Sequence, residues 1–126
     1  MAVRWTQVSA TGATGGAGVA TANATTSMPI NGYIRAVYLA YLDSPPGATT
    51  DVTIEGVQAP KVPVLTVTNA ATDGWFYPMA QADNQAGADI TGMGAPIAIS
   101  DYVKVTIAQA NDGDGVTMTL YWDDGR

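Results

Sequence analysis

Apolar and polar positions along the chain alternate with a period of two in almost every regular stretch, and no run of about ten residues keeps a clean helical period. The alternation is clearest over Asp101–Asp123, where Val103, Val105 and Ile107 interleave with Lys104, Thr106 and Ala108. After a break, Val116, Met118, Leu120 and Trp122 interleave with Thr117, Thr119 and Tyr121. Successive strand side chains point to opposite faces, so each run predicts a half-buried strand. Between them Asn111-Asp112-Gly113-Asp114-Gly115 gathers residues that tolerate positive φ and cap their own backbone, which predicts a hairpin connection.

Tyr33–Leu42 differs in being apolar on both sides. Ile34, Ala36, Tyr38, Ala40 and Leu42 take one face, while Tyr33, Val37, Leu39 and Tyr41 fill most of the other. Such a strand sits centrally and is covered on both faces. Asn31-Gly32 predicts a turn before it, and Asp43-Ser44-Pro45-Pro46-Gly47 ends it, since proline removes a ladder donor. Asp51–Glu55 predicts a strand with Val52 and Ile54 inward, and Val62–Thr68 another, with Pro63 marking an edge or an irregular start.

Two segments break the strand-and-turn pattern. Ser9–Ser27 is almost entirely Ala, Thr, Gly and Ser, with Val19 its only sizeable apolar side chain. Ordering such backbone costs about 1–2 kcal/mol per residue, and this stretch buries little to offset it. It reads either as a thin edge strand near Ala17–Thr25 with alanines inward, or as an arm that adds to a neighbour's sheet. The domain division that follows is an arm or edge strand over residues 1–27 and a sandwich over 28–126. Asp73–Pro96 reads as a long loop carrying Trp75-Phe76-Tyr77-Pro78. Its adjacent aromatics, each able to bury about 150–250 Å², argue for order. Three roles stay open for them: a lid on the sandwich, a subunit contact, or a sugar-stacking platform. Together these patterns predict an all-β fold, an antiparallel β-sandwich or jelly roll in a single domain with an extended N-terminal arm.

Composition narrows the function. The 126 residues include no histidine, no cysteine and one glutamate, Glu55. Histidine is the side chain that titrates near neutral pH and cysteine the readiest nucleophile, so an enzyme lacking both would rely on aspartates or hydroxyls. Charged residues make up only 13% against 47% apolar, which suggests a surface covered by partners. A net charge of −6 repels a phosphate backbone, so no nucleic-acid partner is expected. No stretch approaches the roughly 18 apolar residues of a membrane span, and the N-terminal residues lack an apolar run of signal-peptide length. No membrane partner is expected, and the product stays where it is made or leaves by lysis.

Candidate chemistry is thin. Gly12–Gly18 superficially resembles a phosphate-binding loop but has no following lysine and no flanking strand–helix pattern. Asn111–Gly115 has oxygen ligands without the spacing or closing glutamate of a calcium loop. Paired carboxylates for glycoside hydrolysis could come from Asp101, Asp112, Asp114, Asp123 and Asp124, but these fall at strand ends and turns, where aspartate caps backbone. No base activates a hydroxyl nucleophile, and Lys104 sits on an exposed strand face. A non-enzymatic protein with no cofactor and no metal is expected, with Trp5, Val19, Trp75, Phe76 and Tyr77 as candidate contact residues.

Thr49–Ile54, Leu65–Asn69, Thr72–Pro78, Asp101–Ala108 and Gly113–Thr119, in that order and spacing, resemble small structural proteins of tailed bacteriophages, of the kind that decorate or cement heads. The resemblance implies a compact sandwich, often trimeric, that binds the major capsid protein on the outer virion surface and clamps capsomers, and that is made in the bacterial cytoplasm. A neck or tail role uses the same fold class. A carbohydrate-binding or adhesin module is the alternative from a different class, motivated by Trp75, Phe76 and Tyr77.

Overall fold

The computed structural model describes residues 2–42 and 47–125. Its strands are β1 (Val3–Ala10), β2 (Ala20–Thr25), β3 (Ile30–Tyr41), β4 (Asp51–Gly56), β5 (Pro63–Val67), β6 (Gly74–Phe76), β7 (Met79–Asp83), β8 (Asp89–Asp101), β9 (Val103–Ala110) and β10 (Val116–Asp123). They form two antiparallel sheets: a six-stranded one in the order β1-β10-β3-β8-β7 with β6 also on β3, and a four-stranded one in the order β2-β9-β4-β5. The fold is therefore the expected all-β sandwich. The expected break at Asp43–Pro46 lies outside the described residues.

The core forms where the alternating apolar positions of the two sheets meet. Val52 and Ile54 of β4 and Val103, Val105 and Ile107 of β9 face Ile34, Val37 and Leu39 of β3 and Val116, Met118 and Leu120 of β10, all essentially inaccessible to solvent. The branched side chains suit a pleated, half-buried surface.

Alternation located β9 and β10 but not their partners. The two strands do not pair with each other: β9 pairs with β2 and β4, and β10 with β1 and β3. Asn111–Gly115 is thus an arch between sheets and not a hairpin turn. Positive φ at Gly113 and side-chain capping serve either connection equally well. Asp114 accepts the N–H of Asn111 at 2.9 Å and of Gly47 at 3.3 Å, while Asn111 accepts the N–H of Gly18 at 3.1 Å. The backbone closes the same hub, because Gly113 donates to the carbonyl of Ala13 and Ala13 to that of Asp114.

β3 lies centrally, as its two-sided apolar pattern predicts, but its faces are not the simple alternates. Opposite β10 the register passes from Tyr121↔Ala36 to Trp122↔Ile34, leaving Arg35 as the extra residue of a β-bulge. The bulge switches parity, so Ile34, Val37 and Leu39 share the core face while Ala36, Tyr38 and Ala40 turn outward. Asn31-Gly32 is not a turn either; both residues lie within β3. Gly32 has φ of 148° and passes so close to β10 that a Cβ there would lie 1.9 Å from the carbonyl oxygen of Asp123.

The N-terminal segment joins the sandwich. β1 pairs with β10 through eight consecutive residues, and β2 pairs with β9 with Ala20, Ala22 and Ala24 toward the core. This is the thin-edge-strand arrangement rather than an arm reaching outward. Asp73–Pro96 is not a loop but β6, β7 and the first half of β8, with β7 and β8 pairing as a hairpin.

Candidate functional site

The two outer faces of the sandwich have opposite character. On the four-stranded sheet, Asn23, Thr106, Thr53 and Thr66 sit in register across the strands, beside a second row of Thr25, Lys104 and Glu55. These two rows are rich in hydroxyls and contain no aromatic residue. On the six-stranded sheet, Trp5 of β1 lies opposite Tyr121 of β10, and Tyr38 of β3 lies opposite Trp75 of β6.

These four residues form a band of rings. The Trp75 ring centroid is 5.0 Å from that of Tyr38 and 5.6 Å from that of Tyr121, with interplanar angles of 56° and 40°. Tilted contacts at such separations suit the ring quadrupoles and hold the side chains in place. Trp5 extends the band outward and is 64% exposed, while Trp75 is 51% exposed. At about 4.8 Å between strands, four adjacent strands span about 14 Å, which sets the width of the band.

Neutral polar groups border the rings. The Gln7 side-chain amide donates to Thr119 Oγ1 at 3.0 Å, and the hydroxyls of Ser9 and Thr117 are 2.7 Å apart. Register places both pairs on the same face as Trp5 and Tyr121. Arg35, thrown outward by the bulge, donates through Nε to the buried carboxylate of Asp123 and lies 6.0 Å from the Tyr33 ring centroid. This ion pair fixes the bulge and engages the Arg35 guanidinium. A cleft of about 440 Å³ lies at the adjoining strand ends, lined by Arg4, Met28, Asn31, Trp122 and Asp124 among others.

Of the predicted contact residues, Trp5 and Trp75 belong to this band, linked through Tyr121. Phe76 instead faces the core beside Val37, because it alternates with Trp75 on β6. Trp75 and Tyr77 do not lid the sandwich, and Tyr77, just beyond β6, is 69% exposed. Val19 is 67% exposed in the glycine-rich loop between β1 and β2, away from the rings. Tyr38 and Tyr121 were missed. Tyr121 shows in the sequence only as an outward alternate, and Tyr38 takes its face from a bulge that alternation cannot reveal.

The carboxylates considered for hydrolysis serve the backbone. Asp101 accepts the N–H groups of Val57, Gln58 and Tyr102 at 2.7, 2.8 and 2.7 Å. The Gln58 N–H above all, then that of Val57, holds this carboxyl below the ordinary carboxylate range against the opposing effect of desolvation. Asp123 is likewise held low, first by the Arg35 hydrogen bond, and it also accepts the N–H of Gly125 at 2.8 Å. Asp112 is exposed in the arch, and Asp124 lines the cleft. Among the described residues no group of three or more acidic, histidine or cysteine side chains could hold a metal ion. The Gly12–Gly18 loop has positive φ at Gly12, Gly15 and Gly18 and is anchored to Asn111, so its glycines serve a tight fold-back onto β2.

No family model and no curated protein matches this chain. Among solved structures it is similar to a carbohydrate binding module of family 29, at 12% identity and a TM-score of 0.49, covering 99% of this chain and 91% of that one. It is also similar to two mutants of such modules. One was used to probe ligand recognition by CBM29-2 (12% identity, TM-score 0.46, covering 90% of this chain and 69% of that one). The other matches at 14% identity and a TM-score of 0.46, covering 97% of this chain and 94% of that one. At these values the likeness carries no residue, ligand or role to this chain.

Proposed function

We propose that this chain is a non-catalytic carbohydrate-binding β-sandwich module that holds a neutral polysaccharide against the outer face of its six-stranded sheet. The observation that carries the reading is the ring band of Tyr38, Trp75 and Tyr121 with Trp5 in register beside it, exposed at Trp5 and Trp75 and bordered by the hydroxyls and amide of Gln7, Ser9, Thr117 and Thr119. Sugar rings are amphipathic. Their C–H faces lie on aromatic surface while their hydroxyls exchange hydrogen bonds with neutral polar side chains, and a few polar groups on an apolar floor are the usual composition of a ligand site. The net charge of −6 favours a neutral glycan over an acidic one.

A glycan array followed by calorimetry tests this. The expected outcome is binding to one or more neutral polysaccharides, lost by at least about tenfold in Trp75→Ala, which removes on the order of 1.4 kcal/mol or more of contact. An empty array, or full binding by Trp75→Ala and Trp5→Ala, overturns it.

A second reading, the bacteriophage head-decoration role that the sequence resemblance implies, draws on a different surface. The β7–β8 hairpin is exposed along most of its length and presents Met79 and Met93 at 59% and 58% exposure, with Tyr77 beside it. Methionine adapts to irregular partners, which suits a capsomer contact. Binding to expanded empty capsids, weakened by Met79→Asp and Met93→Asp but not by Trp75→Ala, is the outcome that separates it from glycan recognition.

A further inference from the structure

The five strands that border the two sheets are treated unequally. A sheet edge offers unpaired N–H and C=O groups, and proteins blunt it with bulges, proline, charge or brevity. β2 carries a bulge at Ala20/Ala22 and is bridged by Thr14 through both backbone bonds to Thr21. β5 opens on Pro63 with a bulge opposite it, and the Lys61–Glu55 ion pair stands beside it. β6 has three residues and runs into Pro78, and β7 is bulged between Gln81 and Asp83 and ends on the acid.

β1 has no bulge and no proline, is not short, and has Arg4 as its one charge. It runs eight residues in unbroken register with β10, contains no glycine or proline, and carries no acid. Its sequence Val-Arg-Trp-Thr-Gln-Val-Ser-Ala is among the more strand-prone in the chain, and among the described residues no strand lies against its far side. We infer that the free edge of β1 is a homodimer interface, at which two copies pair their β1 strands antiparallel about a two-fold axis and join their six-stranded sheets into one.

The occupant is a second copy because β1 is self-complementary. An axis through Thr6 or Gln7 keeps core-side residues opposite core-side residues and outer opposite outer. With the axis at Thr6, Val3 meets Ser9, Arg4 meets Val8 and Trp5 meets Gln7 of the other copy. The strand's one charge, Arg4, then lies four residues from its symmetry mate, about 14 Å along the strand and beyond the roughly 8 Å screening length of physiological salt. In a chain of net charge −6 this edge is free of acid, so two copies can approach here with less repulsion than at β7, whose edge ends in Asp83. A two-fold interface of this kind closes at two subunits and not at the three that the phage resemblance implies.

The absence of native cysteine gives a direct test. Thr6→Cys and Gln7→Cys, each alone, place one thiol at or beside the axis, and Thr66→Cys on the guarded β5 edge is the control. The unaltered chain should show a dimer mass by light scattering. At least one β1 variant, and not the control, should form disulfide-linked dimer under mild oxidation, and Gln7→Lys should raise the dissociation constant at least tenfold with circular dichroism unchanged. A monomer or trimer mass at the highest soluble concentration, or cross-linking at Thr66→Cys as fast as at β1, overturns it.

Discussion

Gly32 has no side chain because the carbonyl of Asp123 occupies the space where one would be. Gly32→Ala forces both a clash and a φ of 148° that L side chains rarely adopt, so it should lower stability by at least about 2 kcal/mol in urea unfolding. The sequence registered this glycine only as a turn signal, since a glycine required by a close approach and one required by a bend look alike. Asp101 and Asp123 act through charge. Both have folded-state pKa values below the ordinary carboxylate value of about 3.9, so the unfolded chain binds more protons as pH falls. Their stabilising contribution is complete well above that value and is lost as pH drops through the lower folded values. Thermal melts between pH 6 and pH 2 should show the midpoint falling in the acid limb. Asp101→Asn should flatten that limb, since the amide retains a carbonyl acceptor but does not titrate. At Trp75 the effects separate: Trp75→Ala removes two ring contacts at a half-exposed site and should cost only about 0.5–1.5 kcal/mol of stability while weakening glycan binding at least about tenfold under the proposed function.

Strand positions were largely legible in the sequence, and strand partners were not. Val52 and Ile54, Val103 to Ile107, and Val116 to Leu120 announce inward faces because side-chain parity is a local property. Pairing depends on which apolar faces meet in space, so β9 and β10 read as a hairpin although they belong to different sheets. The alanine-rich N-terminal segment was ambiguous for a related reason: its small side chains bury little by themselves, yet Ala10, Ala13 and Ala20 are almost wholly enclosed once β10 and β9 are in place. Removing residues 1–27 would uncover Met118, Leu120 and Ile107 along one flank. The expected outcome is a chain without a cooperative melt, in place of the stable core that a detachable arm would leave. The arch makes a second prediction. Asp114→Ala removes the acceptor for the N–H groups of Asn111 and Gly47 and should cost about 1–3 kcal/mol, measured by chemical denaturation.

For the whole molecule, the aromatic site is assembled from four strands that are scattered in sequence, at Trp5, Tyr38, Trp75 and Tyr121. Two of them could be singled out as exposed aromatics, but no local signal places them together. Only the strand order does that. The same order sets a schedule for synthesis. Of the described strands β1 is made first and its partner β10 last, Val116 following Ala10 by 106 positions. At about 5–20 residues per second, β1 waits roughly 5–20 s for the strand that pairs with its inner edge, with both backbone edges open throughout. The strand with the fewest guards in the finished fold is thus also the one longest exposed while the chain is made, and misassociation during expression should begin at β1. Trp5→Lys, which charges that strand without touching the core, should raise soluble yield more than the same change at Tyr77.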